Sequence, residues 1–385
     1  MKVRIKTLTP LHIGGKEGAL LPMEYVIFNQ KCYCLSEERL SRKLLTQNQL
    51  DSFLVAVQGK DFSVKQFLKQ KGYLSEDFLA SVSLYHSNCN LVFNRETIRP
   101  FARNAYSQAF IPGTSIKGVL RTAIMYAILQ QLDDSTRKRL LDDFVKDKLR
   151  EYKKDPRGER GYKWFQEKFK QWFAQRLDQE VFQKFILQEQ QRRYDPHTDI
   201  LRALKISDST SVDRDSLSIE EIKIFSAQSN MSPKSWSIYA ECIPEGVELE
   251  FELKVDQGIL KDFEQRNRDT RLGLSFAEIA EIINHPLETA NSMAQELYQK
   301  EKEFFEKELR CPEVMEFQDE PNFRLGWGSG LLGTSMGMLL PLQIRQDLRN
   351  TLFHDRRHTP APKSRRVVMR GNQGKLTLGW VRAFA

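Results

Sequence analysis

Little in this chain marks a secreted, membrane-bound or familiar catalytic protein. Its 385 residues include five cysteines, an odd number in a long chain, which argues against a disulfide framework. No run approaches the ~18 consecutive apolar residues of a membrane span, and mean hydropathy is −0.52. The start, Met1-Lys2-Val3-Arg4-Ile5-Lys6, alternates charged and apolar groups and has no signal-peptide core. A cytoplasmic protein is expected. There is no GxSxG, no HExxH and no P-loop, because no Gly-Lys-Ser/Thr follows the glycine of Ile111–Gly118 at the required spacing. No catalytic constellation, metal set or cofactor fingerprint is evident.

What the chain does have is apolar material, 40% of residues with 24 Phe and 11 Tyr, enough for sizeable cores. At about 150 residues per domain the length suggests two domains. The net charge of +8 is confined to one end. Residues 345–385 hold ten basic and two acidic groups, so the preceding 344 residues are neutral. A concentrated basic stretch attracts polyanions by counterion release; a basic loop kept soluble by its charge accounts for the composition equally well. Val367–Met369 and Leu376–Val381, separated by Gly371 and Gly374, read as a basic β-hairpin.

Strand signals open the chain at Val3 and Ile5 and are clearest at Val247–Val255, where five apolar residues alternate with Glu248, Glu250, Glu252 and Lys254. Residues 37–79 are mostly helical in spacing. Residues 133–193 form a long polar helical block whose Phe165, Phe169, Trp172 and Phe173 recur at core spacing. A second helical block lies at about 258–310. Strands and helices interleave in both halves, which predicts an α+β protein made of two related units.

Three segments offer chemistry. In Ile111–Thr122, Pro112-Gly113 makes a turn, and Thr114 or Ser115 suits the N-cap of a helix beginning near Ile116. Amides at that helix start form an anion site, with Lys117 and Arg121 on one face; an ordinary capped helix with two solvated cations fits the same residues. In Arg324–Gly333, Gly328, Gly330 and Gly333 spell GxGxxG, and Asp347 lies 19 residues past Gly328. A dinucleotide fold is rejected, because no buried strand precedes the glycines and no long βαβ run follows. Trp327 offers a stacking face beside backbone that glycine lets a ligand approach; a surface loop is the alternative. Third, Thr9–Gly15 ends a strand in a glycine turn with one histidine, His12. His354 and His358 are four apart, but arginines surround them and no third ligand follows. Asp208 and Asp213, in SDSTSVD, serve as loop caps or as candidate acids.

In order, TPLHIGG, IPGTSIKGVLRTA, LKISDS and LGWGSGLLGTSMG resemble the RAMP proteins of CRISPR–Cas systems. The chain is most similar to the fifth subunit family of type III-A (Csm) complexes. The resemblance implies two ferredoxin-like (RRM-like) units. One is residues 1–200 with a helical insertion at about 133–193. The other is residues 201–385 with an insertion at about 258–310 and the glycine-rich loop. It implies a non-catalytic subunit that binds crRNA, caps the effector backbone at the guide's 3′ end and contacts other RAMP and small helical subunits, away from any membrane. RNA-binding residues carried over by motif or by charge are His12, Gly14, Gly15, Thr114, Ser115, Lys117, Arg121, Gly326, Trp327, Gly328, Ser329, Gly330, Arg365 and Arg366. No catalytic residue, metal or cofactor is implied. The alternatives are a RAMP ribonuclease working through His12 or Asp208 on precursor guide RNA, and a Cmr-type RAMP subunit.

Overall fold

The computed structural model describes residues 1–385 except 16–17, 61, 94–95, 155–157, 184–195, 214–215, 228–232, 267–271, 354–359 and 372–374. Its strands are β1 (Lys2–Thr7), β2 (Tyr25–Phe28), β3 (Lys31–Leu35), β4 (Ser83–Asn88), β5 (Ile98–Arg99), β6 (Leu204–Ile206), β7 (Ser218–Ser226), β8 (Ile238–Cys242), β9 (Glu248–Val255), β10 (Phe323–Arg324), β11 (Ser364–Met369), β12 (Lys375–Leu376) and β13 (Trp380–Phe384).

The first sheet follows from the alternation of β1 and β9. Val3, Ile5, Leu249, Phe251 and Leu253 turn inward, and the residues between them carry charge outward. Pairing sets Lys2 opposite Glu252, Arg4 opposite Glu250 and Lys6 opposite Glu248. Opposite charges directly across a ladder contribute roughly 0.2–1 kcal/mol each and fix the register. The strand order is β10-β13-β1-β9-β6, and every neighbouring pair is antiparallel. Along the chain, β1, helix Gly113–Gln131, β6, β9, helix Pro286–Lys307 and β13 make the βαββαβ pattern of a ferredoxin-like unit. The two helices bury Ile116, Leu120, Ile124, Met293, Leu297 and Phe305 against each other and the sheet.

The second sheet runs β12-β11-β7-β4-β3-β2, with β8 beside β7 and β5 beside β8. Helices Glu37–Thr46, Val64–Gln70 and Glu76–Val82 pack on its β2–β4 end through Leu40, Leu44, Phe67, Leu68 and Leu79. Ser36, Ser63 and Ser75 cap their N-termini, as short helices in water require. Both expected insertion spans are helical, with Phe144–Lys154 and Gly158–Val181 in the first and Gln257–Arg266 and Phe276–Asn284 in the second, but Pro286–Lys307, which the second span also took in, is a helix of the ferredoxin-like unit itself. Phe165 and Phe169 are core residues. All five cysteines are free and buried. No helix among the described residues is long and apolar enough to cross a membrane.

Three expectations are corrected. Each sheet takes strands from both sides of residue 200, so a cut there divides both. The sequence order was legible, but strand partners hundreds of residues apart were not. Only β11 and β12 form the C-terminal hairpin; Trp380–Phe384 crosses to the first sheet and pairs with β1. Gly379 makes that crossing at φ +78°, where a Cβ would stand 2.1 Å from the Leu325 carbonyl oxygen. The helix expected from Ile116 begins at Gly113 with Pro112 at its N-cap, so neither Thr114 nor Ser115 caps it.

One buried ion cluster ties the sheets together. Glu301, on helix Pro286–Lys307, accepts from Arg365 Nε of β11 at 2.7 Å and pairs with Arg324 of β10 at 3.3 Å. The Arg324 guanidinium lies over Trp380 and that of Arg365 over Phe304. Burial alone would raise the Glu301 pKa, but the two guanidiniums outweigh it and hold the carboxyl below its ordinary value. Removing one member of such a cluster strands buried charge, at a cost of about 3–5 kcal/mol. Glu301→Gln is therefore expected to lower stability by that order in denaturant unfolding at pH 7. Because the folded pKa is depressed, the carboxylate's contribution is present above the unfolded value of 4.5 and is lost as pH falls through the lower folded value. Parent and variant should accordingly converge in acid; a gap that persists there would contradict the assignment.

Candidate nucleic-acid interface

Strand direction decides what can meet. With every neighbour antiparallel, β1, β6 and β10 run the same way. The loops that follow them, carrying His12, Asp208 and Trp327, leave one end of the first sheet. Trp327 N–H donates to the His12 carbonyl at 2.8 Å, Leu325 N–H to that of Gly379 at 2.8 Å, and Gly379 N–H to that of Pro10 at 3.0 Å. Gly14 bridges Phe101, and Phe110 bridges Ser211. A continuous rim results, in which the first and last motifs of the chain touch.

The glycine-rich turn has a steric cause. Gly326, at φ +80°, would place a Cβ 2.4 Å from the His12 carbonyl oxygen, and Gly328, at φ +107°, one 2.9 Å from Leu378 Cβ. Only glycine fits both the left-handed backbone and the contact. Ser329 is buried and donates to the Gly326 carbonyl, and Arg324 Nη2 donates to that of Gly328. The turn presents Trp327 half-buried, its ring edge-on to His12 at 5.6 Å. Two guanidiniums lie over that ring, Arg99 at 4.7 Å and Arg366 at 4.4 Å from its centroid. Burial, then the Arg99 charge, pulls Arg366 below its ordinary pKa. The Arg366 Nε is buried without a hydrogen-bond partner. Among the described residues no carboxylate pairs with either arginine. The notch therefore holds a flat aromatic and two uncompensated planar cations, a combination suited to phosphate and a stacked base.

Other expected residues have internal partners. Asp208 Oδ1 accepts the Gly113 N–H at 2.7 Å, so an anion already caps that helix. Lys117 Nζ donates to the Leu204 carbonyl at 2.7 Å. Arg121 pairs with Asp178 at 2.9 Å and Asp199 at 2.8 Å, over the Phe182 ring. Arg365 belongs to the buried cluster with Glu301. Lys117, Arg121 and Arg365 are thus structural cations, and their partners lie 57 to 87 residues away in sequence. Thr114 is exposed and Ser115 half-buried at the rim's far end. Four strand spacings, ~19 Å, separate β6 there from β10 at the Trp327 end. Gly14 and Gly15 are exposed between the two. His354 and His358 lie outside the described residues. Arg99 was missed: it stands alone before Pro100, and no pattern distinguishes it from a solvated charge.

His12 is 2% exposed and pairs through Nδ1 with the Glu241 carbonyl at 2.7 Å. Burial lowers its pKa to about 4, with the Arg99 charge adding to that and the hydrogen bond opposing it. It is neutral at pH 7, so it holds the loop rather than supplying charge.

The chain matches the model of the RAMP superfamily over residues 4–331, from β1 through the glycine-rich turn after β10, and belongs to that superfamily. Among solved structures, it is similar to a chain of the Csm–crRNA–target RNA ternary complex of a type III-A CRISPR–Cas system. The two are 22% identical with a TM-score of 0.70, covering 100% of both chains. The crystal structure of T. onnurineus Csm5 is similar over 98% of this chain and 99% of that one, at 21% identity and a TM-score of 0.64. At these identities the likeness is one of fold. No curated protein sequence matches the chain.

The His12 environment has a measurable pH signature. Its unfolded pKa of 6.5 exceeds the folded value of about 4, so the unfolded chain takes up a proton first, and stability falls as pH drops through that window. Between pH 7 and pH 5 this amounts to about 2 kcal/mol. In denaturant titrations His12→Asn should remove that increment of pH dependence; identical pH profiles would contradict a buried neutral imidazole.

Proposed function

We propose that this chain is a guide-RNA-binding structural subunit of a type III-A CRISPR effector complex. In this reading it holds the 3′ part of the crRNA, caps the backbone of the complex, contacts other RAMP and small helical subunits, and so supports guide maturation and antiviral defence. The observation that carries the reading is the Trp327 notch, with Arg99 and Arg366 over one ring and, among the described residues, no carboxylate paired to either. Membership of the RAMP superfamily and the likeness to a Csm–crRNA–target RNA complex and to a Csm5 support it.

Such a subunit must accept any guide, and the notch offers contacts that ignore sequence: charge for the backbone and the planar guanidiniums over Trp327 for stacking on any base. The exposed face of the ferredoxin-like sheet is suited differently. There the β1 cations stand opposite the β9 glutamates, and the outward positions of these two strands carry no aromatic stacking row. RNA is therefore placed on the rim rather than across the sheet. His12 and Asp208 are engaged in holding loops, which supports a role without strand cleavage.

Full-length protein should bind single-stranded RNA with an affinity that falls steeply with salt. Arg99→Ala/Arg366→Ala should weaken it and flatten the log–log salt slope by about 1.4, ~0.7 per lost phosphate contact. Unchanged affinity and slope in a folded double variant would overturn the reading. Labelled guide precursor should stay intact with or without EDTA; cleavage abolished by His12→Ala or Asp208→Ala would favour a ribonuclease instead.

A further inference from the structure

The notch does not end at Arg366. A small cavity of 90 Å³ is lined by Gly328, Gly330, Leu332, Pro362, Arg365 and Arg366. A cleft of 270 Å³ shares Leu332, Pro362 and Arg365 with it and extends to Leu342 and Arg345. The two meet at these shared residues and together are taken as one groove, from Gly328 and Arg366 at one end to Leu342 and Arg345 of helix Leu342–Phe353 at the other.

Charge along this groove is out of balance. Arg324 and Arg365 share a single carboxylate, that of Glu301. Arg345 and Arg366 have no carboxylate partner among the described residues, and the Nε of each is buried without a hydrogen-bond partner. Four guanidiniums therefore stand against one carboxylate. Burial, then the neighbouring Arg365 charge, pulls Arg345 below its ordinary pKa, the same condition that Arg99 imposes on Arg366. Lys300, Lys307, Glu303 and Glu308 also line the outer cleft but cancel one another. Apolar side chains lie among the charged ones, and two of them, Leu331 and Leu342, are 46% and 49% exposed. Guanidiniums interleaved with exposed apolar side chains suit a strand of alternating phosphates and bases.

We propose that this groove carries the stretch of single-stranded guide next to the one held at the Trp327 notch, with Arg345 on a backbone phosphate. The inference rests on the proposed function and adds a path and a contact to it. An acidic peptide segment would match the charge, but the groove shares Gly328 and Arg366 with the notch, and a continuous strand would engage both.

The test uses the full chain and two synthetic RNAs of about 4 and about 16 nucleotides, the span of common single-strand site sizes. Arg345→Gln should weaken the longer RNA severalfold and remove about 0.7 from its salt slope. It should leave the shorter RNA, held at the notch, unchanged, and Arg345→Lys should restore most of the loss. Arg366→Ala should weaken both RNAs. Leu342→Glu, a change at an exposed position, sets a negative charge at the cleft and should weaken only the longer RNA, even if Arg345→Gln fails to fold. If the longer RNA ignores Arg345→Gln and Leu342→Glu while Arg366→Ala still weakens binding, the groove is not the path and the proposed function stands. If Arg366→Ala also has no effect, both fall. Loss of a protein partner from the assembled complex with RNA affinity intact would likewise overturn the groove.

Discussion

A single buried carboxylate organises the working end of this protein. Glu301 sits between Arg324 of the first sheet and Arg365 of the second, and each arginine rests on an aromatic ring. Three charged groups removed from water tolerate few arrangements, because any displacement leaves a charge unpaired. The consequences follow in order. Arg324 also holds the Gly328 carbonyl and so shapes the glycine turn. Arg365 fixes β11, which places its neighbour Arg366 over Trp327. The notch is thus the downstream product of one ion cluster and two glycines that no other residue can replace.

Other arginines of the basic tail are also engaged within the fold. Arg349 bonds Asn350 and the Pro360 carbonyl, Arg370 pairs with Glu220 and Glu245, and Arg382 reaches Asp319. Among the described arginines of the tail, Arg345 and Arg366 have no carboxylate partner; Arg366 lies over Trp327 and Arg345 lines the adjoining cleft. Net charge by itself governs how strongly a polyanion is drawn in, whereas placement of the few unpaired arginines governs where it settles.

The sequence was informative where local physics decides. Period-two alternation located β1 and β9, apolar spacing located the early helices, and the glycines of Gly326–Gly330 marked backbone open to close approach. It was uninformative where partners are distant. Lys117 and Arg121 look like free cations until Leu204, Asp178 and Asp199 fold onto them, and Asp208 looks like a candidate acid until it caps Gly113. Both sheets mix strands from the two ends of the chain, so a boundary drawn along the sequence could not describe them. Arg99 gave no local signal because its meaning depends entirely on Trp327.

The central claim is that guide RNA lies against the glycine turn rather than against the Gly113 helix or the outer face of the sheet. Ultraviolet cross-linking of the protein to single-stranded RNA, followed by mass spectrometry of the adducts, tests this most directly. The account predicts an adduct on the peptide containing Trp327. Cross-links confined to residues 113–121, or to the outward positions of β1 and β9, would contradict it.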